Sequence, residues 1–257
     1  VMNDDTLDAV IKLFREQGSD RWFTDDPASY LGDACVCPKC GGHHLKPGRD
    51  ILDVWWDSGV SHTAVCRHRD YLKFPADVYL EGSDQHRGWF QSSLLTSVGA
   101  YAVAPYKAVM SCGFTVDKDG RKMSKSIGNV IDPADVIAKF GADVLRLWVG
   151  SVDYSQDMRV DMEIFQRTSE AYLKIRTTFR YLLGNLYDFS EEDLSASWSE
   201  LEPVDRYFMA KAFKLLRDCE QAYDAFKFQV VYRSCYDFVN ELSSVYMDVV
   251  KDRLYSE

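Results

Sequence analysis

The sequence lacks several features that would place it in a class at once. It contains no apolar run of about eighteen residues, so we expect no membrane-spanning helix. It also lacks a surplus of basic residues: the formal net charge is −10, which argues against a basic footprint for nucleic acid over the whole surface but not against a local patch. Apolar material is plentiful, since 46% of the 257 residues are hydrophobic and 14% are aromatic, which is enough for a packed core.

The seven cysteines do not form the even, regularly spaced set of a disulfide framework. Their odd number and the cluster of three at 35, 37 and 40 favour a reducing compartment, the cytoplasm, and a metal site. Cys37 and Cys40 have the spacing of one zinc-ribbon knuckle, but a structural Zn²⁺ site needs four ligands and no second Cys-x-x-Cys is present. Further candidate ligands are Cys35, His43, His44, Cys66 and His68. A bound zinc ion and a degenerate ribbon that binds nothing both remain open.

The first 150 residues show the element order of an α/β fold. Helical periodicity predicts a helix over 7–17 and a short helix from Pro27 to Gly32. Two short apolar runs, at 78–80 and 108–110, are predicted to be buried strands, with a helix from Trp89 between them. A strand, a polar turn and a helix in this order indicate a parallel sheet, in which ligands bind at the carboxyl ends of the strands.

After about residue 150 the pattern changes to helices alone. Three apolar stripes recur at helical spacing, over 164–186, 208–226 and 231–249, and the polar segment 188–203 is predicted to connect the first two. No further strand is expected. This region is therefore predicted to be a helical bundle from about residue 160 to the end of the sequence.

The segment 122–126, KMSKS, carries the clearest chemistry. Lys122 and Lys125 flank Ser124, and a loop with two such cationic heads can stabilise a polyphosphate. A solvated basic turn is the alternative for lysine pairs in general. The pentapeptide resembles the signature loop of the class I aminoacyl-tRNA synthetases, and this resemblance implies that Lys125, Lys122 and Ser124 are catalytic and that Met123 and Lys125 contact ATP.

The run EGSDQHRGWF at 81–90 follows the first predicted strand. Its glycine would allow a nucleotide close to the backbone, and its carboxylates can accept hydrogen bonds from ribose hydroxyls. A capped helix start is the alternative. The run resembles the isoleucyl branch of the family in particular, which implies that Glu81, Gly82, Asp84 and Gln85 bind ATP or the adenylate.

The segment DVWWDSG at 53–59 holds two adjacent tryptophans. In an extended strand they would point to opposite faces, so that one lines a pocket while the other packs in the core; core packing of both is the alternative. The segment resembles a strand of the same family. By that resemblance, Trp55 and Trp89 enclose the isoleucine side chain.

The resemblance implies an α/β plus all-α architecture in three parts. Residues 1–50 are the trailing edge of an inserted domain with the partial zinc-ribbon-like knuckle. Residues 51–158 are the C-terminal half of a Rossmann-like catalytic domain with the KMSKS loop, and 159–257 are part of a helical-bundle anticodon-binding domain. The second class I signature, His-x-Gly-His, does not occur in the sequence. We therefore predict that this chain alone is inactive.

The implied reaction is ATP-dependent activation of isoleucine followed by transfer to tRNA(Ile), with Mg(II) accompanying ATP and Zn(II) as an open possibility. The expected parent enzyme is a cytoplasmic monomer. Two alternatives stay open: a valyl- or leucyl-type synthetase, and a non-catalytic tRNA- or zinc-binding module derived from a synthetase.

Overall fold

The computed structural model describes residues 1–190 and 197–256. The first region holds three helices: α1 (Asp4–Gln17), α2 (Arg21–Thr24) and α3 (Pro27–Leu31). The central region contains α4 (Val54–Gly59), β1 (Ala76–Gly82), α5 (Trp89–Tyr101), β2 (Tyr106–Cys112), β3 (Thr115–Val116), α6 (Pro133–Phe140), α7 (Ala142–Ser151) and β4 (Met158–Arg159). The last region contains α8 (Met162–Gly184), α9 (Pro203–Asp224), α10 (Phe228–Glu241), α11 (Met247–Val249) and α12 (Lys251–Ser256).

The helices predicted near the N-terminus are confirmed, with one change of cap. Helix α1 begins three residues earlier than predicted, because the Asn3 side chain accepts a hydrogen bond from the Thr6 amide and Thr6 bonds back to Asn3. Helix α3 begins at Pro27, as predicted, where the Asp26 side chain accepts a hydrogen bond from the Ala28 amide, and Gly32 follows its last residue. The first residue of each helix is therefore determined by the side chain that caps it.

The two predicted strands form a parallel pair. In β1 and β2, Val78 lies opposite Ala108 and Gly82 opposite Cys112, and α5 connects the strands. The prediction of buried strands is only partly right, because Tyr79 is buried while the Leu80 side chain is 56% exposed. Both strands end at the same edge, where Ser83, which follows β1, lines the same pocket as Cys112 and Gly113.

The segment 53–59 is not a strand, so the prediction of an extended segment with the tryptophans on opposite faces is wrong. Residues Val54–Gly59 form α4, which begins where the Asp53 carboxylate accepts a hydrogen bond from the Trp55 amide at 2.8 Å. Gly59 lies against Ser92 of α5, and a Cβ atom at position 59 would lie 3.0 to 3.2 Å from Ser92, closer than an ordinary contact. The cap and this close helix contact determine the local structure. Both tryptophans remain about half exposed, so neither is buried in the core of the described chain.

A short strand was missed in the region predicted to be helical only. Residues Met158–Arg159 form β4, which pairs in parallel with β3. The amides of Met158 and Val160 donate to the carbonyl oxygens of Phe114 and Val116, at 2.8 and 2.9 Å. Two residues are too few to show an alternating pattern, so the pairing has no sequence signal of its own.

Helices α6, α7 and α8 share one core with this small sheet. Its buried members are Val136, Trp148, Val160 and Phe165, and Met123 of the signature loop packs against them. The loop is therefore joined to the helical region by apolar contact as well as by the chain.

The last region is helical, as predicted, and α10 packs against α7, α8 and α9. The Asp205 carboxylate of α9 accepts two hydrogen bonds from Arg253 and one from the Tyr246 hydroxyl, at 2.8 to 2.9 Å. These bonds hold the start of α9 to α12, and the Arg253 guanidinium lowers the pKa of Asp205 below its usual value. Part of the predicted connection 188–203, residues 191–196, lies outside the described residues.

No helix in the described ranges has the combination of length and apolar character that crossing a membrane requires.

Candidate active site

The candidate site lies at the carboxyl ends of β1 and β2. Glu81 lies opposite Ser111 in the ladder. Beyond them is an open cleft of about 490 Å³, lined by Leu80, Glu81, Gly82, Asp84, Cys112, Gly113, Phe114 and Thr115. The parallel pairing thus brings the predicted nucleotide residues of 81–85 next to the segment 112–115, where a ligand of a parallel sheet is expected.

The predicted nucleotide-binding run is tightly folded on itself. The Glu81 carboxylate accepts a hydrogen bond from the Gly82 amide at 2.8 Å, and a Cβ atom at Gly82 would lie 2.7 Å from Asp84 Oδ1. A larger residue at position 82 would therefore force the Asp84 carboxylate to move. Asp84 does not cap a helix, because α5 begins at Trp89 and the Gln85 side chain accepts a hydrogen bond from the Trp89 amide at 3.0 Å. The carboxylates of Glu81 and Asp84 are exposed and available to hydroxyl or ammonium donors.

Trp89 forms a rigid flat surface. Its ring stacks on Tyr79 with centroids 4.1 Å apart and planes 8° from parallel, and its indole N–H donates to Ser61 Oγ at 3.2 Å. Tyr79 is only 4% exposed, and burial raises the pKa of its hydroxyl. The Trp89 ring is thus held on one face by Tyr79 and at its edge by Ser61 in the absence of a ligand.

Trp55 reaches the same place from α4. A Cβ atom at Gly88 would lie 2.7 Å from Trp55 Cη2, so the Trp55 ring lies directly against the residue that precedes Trp89. The structure therefore brings the two predicted pocket tryptophans to the same turn, although Trp55 reaches it from a helix and not from a strand. Trp56, its neighbour, lines a separate apolar groove with His62 and Leu95.

The signature loop projects from β3. Lys122 forms an antiparallel bridge with Val116, and the chain then turns through 125–128. Lys122 and Lys125 are exposed, whereas Met123 and Ser124 are half-buried. The loop therefore presents two ammonium groups to solvent while the residues between them pack towards the protein.

Asp117 is the centre of a hydrogen-bond network beneath this loop. Its carboxylate accepts bonds from the amides of Asp119 and Arg121, from Arg121 Nε and from Asn129 Nδ2, all within 3.0 Å. The Asn129 side chain and the Arg121 amide together lower the pKa of Asp117 to about 2. The carboxylate is therefore ionised at every pH at which the protein would be studied.

The end of β2 is closely crossed by the segment 154–157. The Gly113 amide donates to the Tyr154 carbonyl oxygen at 2.8 Å, and the Phe114 amide donates to Asp157 Oδ1 at 2.8 Å. Next to this crossing, burial and the Glu81 carboxylate raise the pKa of the Cys112 thiol. Cys112 is therefore a neutral, weakly polar part of the cleft wall.

The cysteine cluster forms a knuckle but not a complete metal site. The amides of Gly41 and Cys37 close the turn by bonding to the carbonyl oxygens of Cys37 and Gly42, both at 2.8 Å. Amide hydrogen bonds from Lys39 and Cys40 lower the pKa of the Cys37 thiol. Within residues 1–190 and 197–256, however, no three metal-binding side chains come together. Cys37 and Cys40 supply at most half of a tetrahedral zinc site, so the described residues do not fit a structural zinc ion.

Three features of the site were missed from the sequence: the Asp117 network, the Tyr79 ring beneath Trp89, and Ser61 at its edge. Each depends on contacts between residues 10 to 28 positions apart. The Asn that follows the signature loop and the buried tyrosine of β1 were present in the sequence, but nothing in their spacing indicates these partners.

Comparison with known proteins agrees with the two regions seen in the structure. The family described as tRNA synthetases class I (I, L, M and V) matches residues 1–161, and the anticodon-binding domain of tRNA ligase matches residues 205–257.

Individual relatives show how far the similarity extends. The chain is 48% identical to the isoleucine–tRNA ligase of Carboxydothermus hydrogenoformans over all of its own length, and 52% identical to that of Syntrophotalea carbinolica over 97% of it. It spans 28% and 27% of those two proteins. A solved LeuRS of Agrobacterium radiobacter, in a ternary complex with tRNA and LeuAMS, matches 84% of the chain and 30% of its own, with a TM-score of 0.66 at 21% identity. This last likeness concerns the fold.

Proposed function

This chain belongs to the class I tRNA synthetases, and from that premise we propose that it is the part of an isoleucine–tRNA ligase that binds isoleucyl-adenylate and carries the signature loop. The observation that carries the proposal is the convergence of Trp55, Trp89 and the acidic run after β1 at one strand end. The alternative of a valyl- or leucyl-type synthetase has less support, since the two relatives compared above, which match all and 97% of the chain, are isoleucine–tRNA ligases.

The proposed reaction has two steps. An oxygen of the isoleucine carboxylate attacks the α-phosphorus of ATP, the bond to the β-phosphate oxygen breaks, and pyrophosphate leaves with the electron pair. The acyl group then passes from the adenylate to a hydroxyl of the terminal adenosine of tRNA(Ile), releasing AMP. The amino acid is itself the nucleophile of the first step, so the protein contributes orientation and charge stabilisation.

In this proposal the residues of the cleft and those of the signature loop have different roles. Glu81, Gly82, Asp84 and Gln85 hold the nucleotide and the ammonium group of the amino acid by hydrogen bonds. Lys125, with Lys122 and Ser124, stabilises the negative charge that develops on the leaving pyrophosphate, and Met123 anchors the loop to the core of α6, α7 and α8. Mg²⁺ accompanies ATP and would neutralise part of the polyphosphate charge.

Trp89 provides the most specific test of the amino-acid pocket. We expect Trp89→Ala in the full-length protein to raise the KM for isoleucine in ATP–pyrophosphate exchange by about 30-fold, because a buried aromatic contact of this kind is worth about 2 kcal/mol. The KM for ATP should change little, because Trp89 contacts the nucleotide run through its backbone amide, which bonds to Gln85 and is retained in the variant. Steady-state exchange with each substrate varied in turn gives both constants.

Trp56→Ala is the matched control, since Trp56 is a half-exposed tryptophan next to Trp55 that lines a different groove. It should leave the KM for isoleucine near the wild-type value. Equal changes in both variants, or a Trp89 effect confined to ATP, would remove Trp89 from the amino-acid pocket.

The remaining assignments concern the full-length protein. We propose that residues 1–50 belong to the edge of an inserted domain, 51–158 to the catalytic domain and 159–257 to the anticodon-binding domain, which would contact tRNA(Ile).

A cytoplasmic location fits the seven free thiols, and we expect a monomer. Because the sequence lacks His-x-Gly-His, the isolated chain should not support exchange. Isoleucine-dependent exchange by the full-length protein would contradict the alternative of a non-catalytic tRNA- or zinc-binding module.

A further inference from the structure

Asp117 and Asn129 connect the two ends of the segment that carries the signature lysines. They lie twelve residues apart, one before and one after the pentapeptide, and Asn129 Nδ2 donates to Asp117 Oδ2 at 2.9 Å. The Asp117 side chain is 9% exposed, although it sits in a polar loop. A carboxylate is expensive to bury without hydrogen bonds, and this one accepts four.

Asn129 also holds the pentapeptide itself. Its Oδ1 accepts a hydrogen bond from the Ser124 amide at 2.9 Å, and its Nδ2 donates to the Lys122 carbonyl oxygen at 3.3 Å. The backbone is thus fixed on both sides of Met123, directly before Lys125. The lysine side chains are exposed, so it is the backbone beneath them that determines where their ammonium groups can reach.

The network requires the particular chemistry of an amide at position 129. Asn129 donates with Nδ2 to Asp117 and Lys122 and accepts with Oδ1 from Ser124, which a carboxylate or an apolar side chain cannot do. An aspartate there would place a second carboxylate against the ionised Asp117. Arg121 completes the arrangement, since its amide and Nε both bond to Asp117.

We propose that Asp117 and Asn129 form a latch that positions Lys125 for the release of pyrophosphate. The proposal rests on the proposed function of the signature loop and adds two positioning residues to it. Neither needs to touch ATP: they restrict the loop backbone to conformations in which Lys125 meets the charge that develops on the leaving group. The entropy of ordering the loop is then lost on folding and not at the moment of reaction.

The test is a double-mutant cycle in the full-length protein. Asn129→Ala should lower the kcat of isoleucine-dependent exchange by about 10- to 100-fold, because a misplacement of a catalytic group by about 1 Å can cost about 100-fold in rate. The KM values for isoleucine and ATP should stay near those of the wild type. In a Lys125→Ala background the same substitution should lower kcat by a much smaller factor, because the main group that it positions is gone and only Lys122 and Ser124 remain to be misplaced.

Asn185→Ala is the control for losing an asparagine side chain. Asn185 lies at the end of α8, where its Nδ2 donates to the Tyr181 carbonyl oxygen at 2.8 Å, and its removal should leave kcat unchanged. If Asn129→Ala does not yield folded protein, Asp117→Asn is combined with Lys125→Ala in its place. The Asp117→Asn substitution keeps the shape of the side chain and removes its charge.

The outcomes separate the latch from the function on which it depends. If Asn129→Ala lowered kcat by the same factor with and without Lys125, the latch would be overturned. Asn129 would then act on stability or on another group. Wild-type kcat in the single variant would also overturn it. Both results leave isoleucine-dependent exchange in place, whereas a wild-type protein without any exchange would remove the proposed function and the latch together.

Discussion

Replacing Lys125 by alanine in the full-length protein is expected to lower the kcat of isoleucine-dependent ATP–pyrophosphate exchange by about 100- to 1,000-fold, the range found when a single group that stabilises transition-state charge is removed. The ammonium group is exposed on a loop whose backbone is held at Lys122 and Ser124. An exposed ammonium group of this kind costs little free energy in the free protein, and it stabilises the negative charge that develops on the pyrophosphate during the reaction. The loss should therefore fall mainly on kcat and much less on the KM for isoleucine.

Lys118→Ala is the appropriate comparison for that variant. Lys118 is an exposed lysine in the turn between Asp117 and Gly120, so its removal changes the net charge near the loop by the same amount. It should leave exchange within a small factor of the wild-type rate. If both lysine variants lowered kcat by the same factor, the effect would come from the overall positive charge of the loop and not from Lys125 itself. If Lys125→Ala had the kcat of the wild type, Lys125 would lose its assigned role.

The second large effect is expected at Gly113, where the end of β2 meets the segment 154–157. A Cβ atom there would lie 2.2 Å from the carbonyl oxygen of Gln156 and 2.6 Å from the amide nitrogen of Asp157, both of them backbone atoms. Gly113→Ala must therefore push the cleft wall away from this segment. Because a displacement of about 1 Å at an active site can cost about 100-fold in rate, we expect a loss of that order in kcat/KM for ATP.

Gly150→Ala serves as the control glycine variant. Gly150 lies in α7 with nothing within 4 Å of its missing Cβ, so alanine should fit there and favour the helix by about 1 kcal/mol. Exchange kinetics and thermal unfolding of both variants give the comparison. Wild-type kinetics in Gly113→Ala would show that the contact with 154–157 does not set the geometry of the cleft.

The parts of the site that could be predicted are those whose chemistry lies in consecutive residues. The KMSKS segment and the run 81–90 were singled out because each combines charged residues with a nearby glycine; the structure places residues 81–84 at the end of β1, beside the cleft, and the KMSKS segment in a loop after β3. The parallel pairing of β1 and β2 also followed from two short apolar runs separated by a helix. Local sequence is informative in these cases because the functional atoms come from neighbouring residues.

The parts that could not be predicted depend on partners far apart in the chain. The Asp117 carboxylate gives no sign in the sequence of its bond to Asn129, and Tyr79 gives none of the stack with Trp89. The extended structure expected for 53–59 was wrong because the hydrogen bond that the Trp55 amide donates to Asp53 and the contact of Gly59 with Ser92 outweigh the preference of aromatic residues for strands. The strand Met158–Arg159 exists through its bonds to Phe114 and Val116.

The most direct measurement is ATP–pyrophosphate exchange by the full-length wild-type protein with isoleucine, valine, leucine and methionine supplied in turn. We predict that exchange is most efficient with isoleucine and weaker with valine, since isoleucine makes one more methylene contact in an apolar pocket. Leucine and methionine should support less exchange than isoleucine as well. Exchange that is most efficient with valine or leucine would contradict the assignment of the pocket, and the absence of exchange with all four amino acids would contradict the assignment of an activating enzyme.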